Sequence, residues 1–276
     1  MGKESQISLT PTVKLFFREW TCEEPRVNIL LSHGFGEHSG RYQHFGEFCN
    51  QNGINLFAYD HPGHGKTTGK AGHADSLDQL MDGIELVRDK IHKQVPQVPV
   101  VGYGHSMGGN ILLNSFFRRE TAFEGIIATG SWIHLADPAP AIKVKIGKLL
   151  RNLIPKMTQE TNLDSALLCT DQQVGRDYDK DPLVQTRISN ALGIDILKGA
   201  EYLENFSGQT AVPILLMHGA QDQIIDPRGT RELANKIKGD VELKIWEGMF
   251  HEIHNEPRGN EVFLFVLNWL KNKIFI

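Results

Sequence analysis

The sequence has few cysteines, no long apolar run and no excess of basic charge, and each shortage excludes a class of protein. Among 276 residues there are three cysteines, whose wide spacing and odd number give neither a disulfide framework nor a zinc pattern and favour a reducing compartment. The net charge of −4 gives no reason to expect nucleic acid as a partner. No apolar run reaches the roughly 20 residues of a spanning helix. Because the polar stretch Met1–Thr10 lacks the apolar centre of a signal peptide, we expect a cytoplasmic protein.

What the chain does contain is an alternation of strand-like and helix-like runs. Hydrophobic residues make up 40% of it, which is enough for a substantial core. Short apolar runs predict strands at Val13–Trp20 (an edge strand or hairpin arm), Arg26–Ser32, Ile54–Asp60, Val98–Val101, Phe123–Ser131, Val212–Met217 and Val241–Trp246. Helical patterns lie between them, at Tyr42–Asn52, Ser76–Gln94, Gly108–Arg119, Pro227–Lys238 and Asn260–Lys273. This alternation predicts an α/β fold with a mostly parallel central sheet flanked by helices.

The alternation stops in the middle of the chain. From His134 to about Gly208 no clean strand pattern occurs, and helix-like pieces dominate. We therefore predict a core built from residues 1–133 and 209–276, with residues 134–208 inserted as a helical cap.

One segment of this predicted cap, Ile142–Lys156, carries an apolar stripe beside a basic collar. That combination is typical of a helix that rests on a lipid surface. It is equally typical of an amphipathic lid helix packed on a core, and the sequence leaves both readings open. Only the first reading predicts peripheral contact with membranes. The sequence gives no oligomeric state.

A glycine-rich turn lies between the predicted strand at Val98–Val101 and the helix that follows it. Its residues Gly104-His105-Ser106-Met107-Gly108 fit the pattern G-x-S-x-G. A serine on such a sharp strand-to-helix turn projects its hydroxyl into open space. The glycines are needed because side chains there would collide with the strand and the helix. Ser106 is therefore a candidate nucleophile.

An acid and a base follow Ser106 in the chain, each just after a predicted strand. The carboxyl ends of parallel strands meet at one edge of a sheet, and the order Ser106, Asp222, His251 is that of an α/β-hydrolase triad. His251 can take the serine proton, and Asp222 can orient the imidazole. Asp226 is the rival acid, but it precedes Pro227 and is placed to cap a helix. His254 is the rival base, and lies further from its strand.

A tetrahedral intermediate also needs two N–H donors. The amide of Met107 at the turn is one candidate. The other is the amide of Phe35, in the loop after the Arg26–Ser32 strand, where neighbouring glycines let the backbone approach. Two H-x-x-H spacings, at residues 61–64 and 251–254, lack the helical H-E-x-x-H pattern, so we expect no metal.

Five motifs resemble the monoacylglycerol lipase and lysophospholipase-like branch of the α/β-hydrolases: HGFGEHSGRY, DHPGHG, GHSMGG, HGAQD and WEGMFHEIHNE. The resemblance implies an α/β-hydrolase core with a helical cap, no cofactor, and hydrolysis of glycerol monoesters to fatty acid and glycerol. It implies the same catalytic residues. The same matching predicts substrate contacts at Gly34, Arg41, His105 and Tyr178.

Several other functions remain as alternatives. A lysophospholipase or a general carboxylesterase would use the same residues on another ester. A serine aminopeptidase is possible because related caps serve aminopeptidases. A non-catalytic binding protein of this fold usually lacks a triad member, and none is missing here.

Overall fold

Every apolar run that the sequence assigns to a strand lies in one eight-stranded sheet of the computed structural model, which describes residues 2–275. Eight strands form this sheet and four more form two small two-stranded sheets among the described residues. In chain order they are β1 Lys3–Ser8, β2 Lys14–Trp20, β3 Val27–Ser32, β4 Ile54–Tyr59, β5 Val100–His105, β6 Gly125–Thr129, β7 Thr158–Glu160, β8 Arg187–Ser189, β9 Gly208–Gln209, β10 Ile214–Gly219, β11 Ile237–Lys238 and β12 Val241–Trp246. The α-helices are α1 Gln43–Gln51, α2 Leu77–Gln94, α3 Met107–Arg119, α4 Ala141–Leu153, α5 Gln172–Lys180, α6 Asn190–Asn205, α7 Pro227–Lys236 and α8 Gly259–Lys273.

The strands of the main sheet follow the order β1-β2-β4-β3-β5-β6-β10-β12. Pairing is parallel from β4 to β12 and antiparallel where β2 meets β1 and β4. The predicted α/β fold with a mostly parallel sheet is confirmed. Of the two roles expected for β2, the structure gives the hairpin arm, because β1 covers its outer side. The sequence did not predict β1, because none of its side chains is fully buried and it therefore has no apolar pattern.

Successive side chains of each central strand point to opposite faces of the sheet, and each face packs in its own apolar cluster. In β3, Leu30 packs in a cluster with α2, α3 and α6, whereas Ile29 and Leu31 pack on the opposite face with α1 and α8. Strands buried on both faces are expected to be apolar throughout. The two helical layers therefore fix the sheet from both sides and hold its carboxyl edge in place.

The residues between β6 and β10 contribute no strand to the main sheet. They form α4, α5 and α6 with short antiparallel strands β7 and β8, and α6 packs on α3. No side chain of α4 is buried, and Ile142, Leu149 and Leu153 are each more than half exposed. Within residues 2–275, helices long and apolar enough to cross a bilayer are absent. The division at residues 133 and 208 stays a prediction.

Candidate active site

Ser106 lies between β5 and α3 in a backbone conformation that a side chain rarely adopts. Its φ is 53° and its ψ is −117°, and such strain persists only where the surroundings enforce it. Here the Ser106 N–H donates to the Thr129 carbonyl at 2.9 Å. A Cβ at Gly104 would lie 2.7 Å from the Gly108 oxygen, and one at Gly108 would lie 2.0 Å from the Ser32 oxygen. The turn therefore closes only with glycine at both positions.

The three predicted catalytic side chains form one hydrogen-bonded row. The Ser106 hydroxyl lies 2.9 Å from His251 Nε2, and His251 Nδ1 lies 2.7 Å from Asp222 Oδ2. All three residues are at most 6% exposed. A serine, a base and an orienting carboxylate in this geometry can carry out nucleophilic acyl transfer.

Asp222 has several hydrogen-bond partners besides His251. Its Oδ1 accepts the backbone N–H groups of Ile224 and Ile225 at 2.8 and 3.0 Å. Its Oδ2 accepts from His218 Nε2 at 2.9 Å, while Thr230 donates to His218 Nδ1 at 2.7 Å. Sequence reasoning missed His218 as a functional neighbour, although it opens the HGAQD motif that contains Asp222.

Asp222 and His251 each shift the pKa of the other. Burial opposes ionisation of Asp222, but His251 and His218 outweigh it and lower the pKa of Asp222 below its usual value. Burial likewise opposes protonation of His251, yet the Asp222 carboxylate outweighs it and raises the pKa of His251 above its usual value. The carboxylate thus stabilises the imidazolium that would form when Ser106 gives up its proton.

The two rival residues lie elsewhere. The Asp226 carboxylate accepts from the Arg228 N–H at 2.9 Å and caps α7, as its position before Pro227 suggested. His254 stacks on Tyr42 with ring centroids 4.8 Å apart, and neither of its buried ring nitrogens has a hydrogen-bond partner among residues 2–275.

Of the two predicted N–H donors, Met107 follows the serine directly, and Phe35 belongs to a loop that runs against the turn. Met107 is the first residue of α3, and first-turn N–H groups have no acceptor within their own helix. Phe35 belongs to the loop 33–36, which we name the oxyanion loop. A Cβ at Gly34 in this loop would lie 3.2 Å from Ser106 Cβ, so the loop backbone runs directly against the turn.

The cap also touches the oxyanion loop. Gly36 has a φ of 80°, and a Cβ there would lie 2.3 Å from the Tyr178 hydroxyl. The Gly36 carbonyl accepts the Gln185 N–H at 2.9 Å. Of the predicted substrate-contact residues, Gly34 and Tyr178 therefore lie around this loop. His105 is buried, and its Nδ1 forms a 3.0 Å hydrogen bond with the Thr129 hydroxyl. Its ring centroid lies 4.8 Å from that of His251.

Arg41, the fourth predicted contact, lies between two carboxylates that the sequence analysis did not single out. Glu37 and Glu252 are each 2% exposed, and both make ion pairs with Arg41. Burial raises the pKa of Glu37 despite the nearby guanidinium. Burial also acts on Glu252, but Arg41 outweighs it and lowers that pKa to about 2. Both glutamates stand within quoted motifs, HGFGEHSGRY and WEGMFHEIHNE.

A third group of polar side chains is formed by His33, the first residue of the oxyanion loop, with His61 and His64. The His33 ring lies 4.5 Å from that of His61 and 5.5 Å from that of His64. Burial lowers the pKa of His33 to about 4 and that of His64 to about 3. In the stretch 2–275, no three histidine, cysteine, aspartate or glutamate side chains are grouped as metal ligands would be.

Comparison with known families decides the relationship. Residues 23–258 match the family model described as serine aminopeptidase, S33. The chain belongs to this family. A mouse monoglyceride lipase is 32% identical over 267 residues, which cover 94% of this chain and 88% of the relative. An uncharacterized abhydrolase domain-containing protein of Dictyostelium discoideum is 34% identical, but the chain spans only 28% of its length.

A solved structure also places this chain in the monoacylglycerol lipase branch. The crystal structure of a Paleococcus ferrophilus monoacylglycerol lipase is 31% identical and superposes with a TM-score of 0.83, covering 94% of this chain and 98% of the other. The predicted α/β-hydrolase fold and the predicted resemblance to the monoacylglycerol lipase branch are confirmed. The prediction that this member of the S33 family is a hydrolase is confirmed with them.

Proposed function

We propose that the protein hydrolyses carboxylic esters of lipids, with monoacylglycerol as the main substrate and fatty acid and glycerol as products. The observation that carries this proposal is the row of Ser106, His251 and Asp222, with contacts of 2.9 and 2.7 Å, at the end of a strained strand-to-helix turn. The monoglyceride lipases among the relatives support the choice of ester.

The mechanism proceeds through an acyl-enzyme. His251 Nε2 accepts the hydroxyl proton as Ser106 Oγ attacks the ester carbonyl, and the amides of Phe35 and Met107 hold the resulting oxyanion. His251 then donates the proton to the glycerol oxygen as the C–O bond breaks. Water then attacks the acyl-enzyme as His251 takes its proton, and His251 returns that proton to Ser106 Oγ as the acyl–Oγ bond breaks and the fatty acid leaves.

The parts of the site around this row have distinct roles in the proposal. Gly34 lets the substrate approach the oxyanion loop, and Tyr178 of the cap bounds the alcohol side. His105 packs beneath the base. Arg41 lies beside the site and holds the carboxylates of Glu37 and Glu252.

The direct test uses Ser106→Ala together with a fluorophosphonate probe. Wild-type protein should react with the probe and hydrolyse monoolein, and the variant should do neither, because loss of a catalytic serine costs on the order of 10⁶ in kcat. Near wild-type hydrolysis by the variant would refute the role of Ser106. Absence of labelling in folded wild-type protein would favour a non-catalytic binding protein.

A second candidate function is an aminopeptidase, which the description of the family favours. A substrate panel of monoolein, a lysophospholipid and an aminoacyl-anilide separates the candidates. We expect the highest kcat/KM on monoolein. A clear preference for the anilide would replace the lipid assignment, and a preference for the lysophospholipid would move it to a phospholipase.

We further propose that the enzyme works in the cytoplasm and touches membranes through α4. The support is that Ile142, Ile146, Leu149 and Leu153 of this helix are 50 to 67% exposed, beside Lys143, Lys145 and Lys148. Apolar side chains with a basic collar suit an interfacial helix.

Co-sedimentation with anionic vesicles tests this contact. Changing the three lysines to glutamate should weaken binding by at least 100-fold, because each basic residue contributes about 1 kcal/mol at such a surface. Leu149→Ser should weaken it too, whereas Leu264→Ser on α8, where the leucine is 51% exposed, should not. Equal binding by all variants would refute the contact.

A further inference from the structure

We propose that Glu252, Arg41 and Glu37 form a buried ionic clamp that positions the oxyanion loop relative to His251. The inference rests on the proposed function, since it assigns these residues a part in the same acyl transfer. It gives Arg41 the role of a positioning residue rather than a ligand for the alcohol group. Its effect should therefore be felt with any ester, whatever its alcohol.

One end of the clamp is covalently tied to the catalytic base. Glu252 follows His251 in the chain, and its carboxylate receives two hydrogen bonds from the Arg41 guanidinium, at 2.5 Å from Nη1 and 2.8 Å from Nη2. Asn255 Nδ2 donates to the same carboxylate at 2.7 Å. A bidentate pair with both oxygens engaged fixes orientation as well as distance.

The other end reaches the oxyanion loop. Arg41 Nη1 also donates to Glu37 Oε2 at 3.1 Å. Glu37 Oε1 accepts the Gly34 N–H at 2.5 Å and the Tyr42 hydroxyl at 2.8 Å. Gly34 directly precedes Phe35, whose N–H is the proposed oxyanion donor, so a shift of Glu37 would move that donor.

The cap meets the clamp at the same place. The Arg41 guanidinium lies over the Tyr178 ring, 4.9 Å from its centroid. The Glu252 N–H donates to the Leu168 carbonyl at 2.7 Å. The base, the oxyanion loop and the cap thus converge on one guanidinium, although they come from three distant parts of the chain.

The hydrogen bonds of Arg41 favour a positioning role. Three of its five guanidinium N–H groups already donate to the carboxylates of Glu37 and Glu252, so most of its hydrogen bonding is directed at protein groups. A buried ion pair gives little net stability, but it defines one geometry for the groups it joins. Misplacing a catalytic group by about 1 Å can cost on the order of 100-fold in rate.

The test compares two esters in Glu252→Gln and Arg41→Lys. Glutamine keeps the shape of Glu252 without its charge, and lysine keeps the charge of Arg41 without the bidentate fork. We expect each variant to lower kcat about 10- to 100-fold, to the same extent on monoolein and on p-nitrophenyl butyrate, with KM changed less than twofold. The double variant should lose little more than either single variant, because the three residues act as one unit.

Asp195→Asn is the matched control, since Asp195 is also a buried carboxylate with a bidentate arginine, Arg151, at 3.1 and 2.7 Å. It should lower Tm without lowering kcat on either ester, and the Tm of each variant shows that it is folded. A loss confined to monoolein with a raised KM, or an unchanged kcat, would overturn the clamp. A wild-type protein that hydrolyses neither ester would overturn the proposed function, and the clamp with it.

Discussion

The catalytic row and helix α4 are opposites within one chain. Ser106, Asp222 and His251 are 4 to 6% exposed and hydrogen-bonded to one another. In α4 no residue is buried, and the apolar side chains of one face lie open. The proposed catalytic side chains are thus held by a packed environment, whereas the apolar face proposed to meet a lipid phase is exposed.

The two regions encode different properties of the enzyme. Positions in the row depend on strand ends, tight glycines and buried partners such as His218, so they tolerate little change. Positions on the outer face of α4 touch few neighbours and can vary without disturbing the core. Reaction type should therefore be robust, and membrane affinity easily altered.

Within the catalytic row, Asp222→Asn should cause a large loss of kcat. Asparagine keeps the shape but favours the wrong imidazole tautomer, so kcat should fall about 10⁴-fold. The matched variant Asp226→Asn changes the neighbouring helix cap, for which asparagine is also a good residue, and should leave kcat within about twofold. Steady-state kinetics on monoolein measures both variants. Equal losses would contradict the assignment of Asp222 as the acid, and a larger loss in Asp226→Asn would move the assignment to Asp226.

A smaller effect is expected from acidification of the packed region. His33 and His64 have pKa values lowered by burial to about 4 and about 3, below the unfolded value of roughly 6.5. Above pH 6.5 both are neutral in either state and their contribution to stability is complete. As the pH falls from there through 4 to 3, the unfolded chain takes up protons first, and each histidine costs about 1.4 kcal/mol per pH unit.

Urea unfolding between pH 7 and 4 measures this slope. His64→Gln should make it shallower by about one proton relative to wild type. His251, whose pKa is raised, works in the opposite sense, because its contribution is present at low pH and is lost as the pH rises through its folded pKa. A slope unchanged in the variant would mean that His64 does not remain neutral in the folded protein.

The smallest effect is expected on α4. Leu149→Ser should change the free energy of unfolding by less than about 0.5 kcal/mol, as surface substitutions usually do. Leu112→Ala on α3, at a fully buried position, should cost about 2–5 kcal/mol. If Leu149→Ser destabilised the protein as much as Leu112→Ala, α4 would be packed on the core rather than open to a surface.

The sequence predicted the central sheet and the meeting of Ser106, Asp222 and His251 because both follow from strong local signals. Buried strands read as apolar runs, and parallel strands bring their carboxyl ends to one edge. The predicted start of a helix was accurate where a capping residue stands there. The Ser76 hydroxyl accepts the Gln79 N–H and caps the start of α2. Pro227 is the first residue of α7, a position where its missing N–H costs no helical hydrogen bond.

The rest could not be predicted because it depends on partners distant in the chain. β1 is polar and half-exposed, and only its pairing with β2 makes it a strand. Glu37 and Glu252 read as ordinary charged residues until the fold buries them around Arg41. The two interpretations of Ile142–Lys156 differed only in which face meets the core, and no pattern within the segment decides that.

The hydrogen bond from Gln185 to the Gly36 carbonyl has a consequence for how such an enzyme can diversify. It joins cap and oxyanion loop through backbone atoms, and Gly36 has no room for a side chain beneath Tyr178. A cap exchanged for that of another hydrolase would therefore have to bring its own equivalent of residues 178–185. New substrate ranges should arise more readily by point changes within the present cap than by replacing it whole.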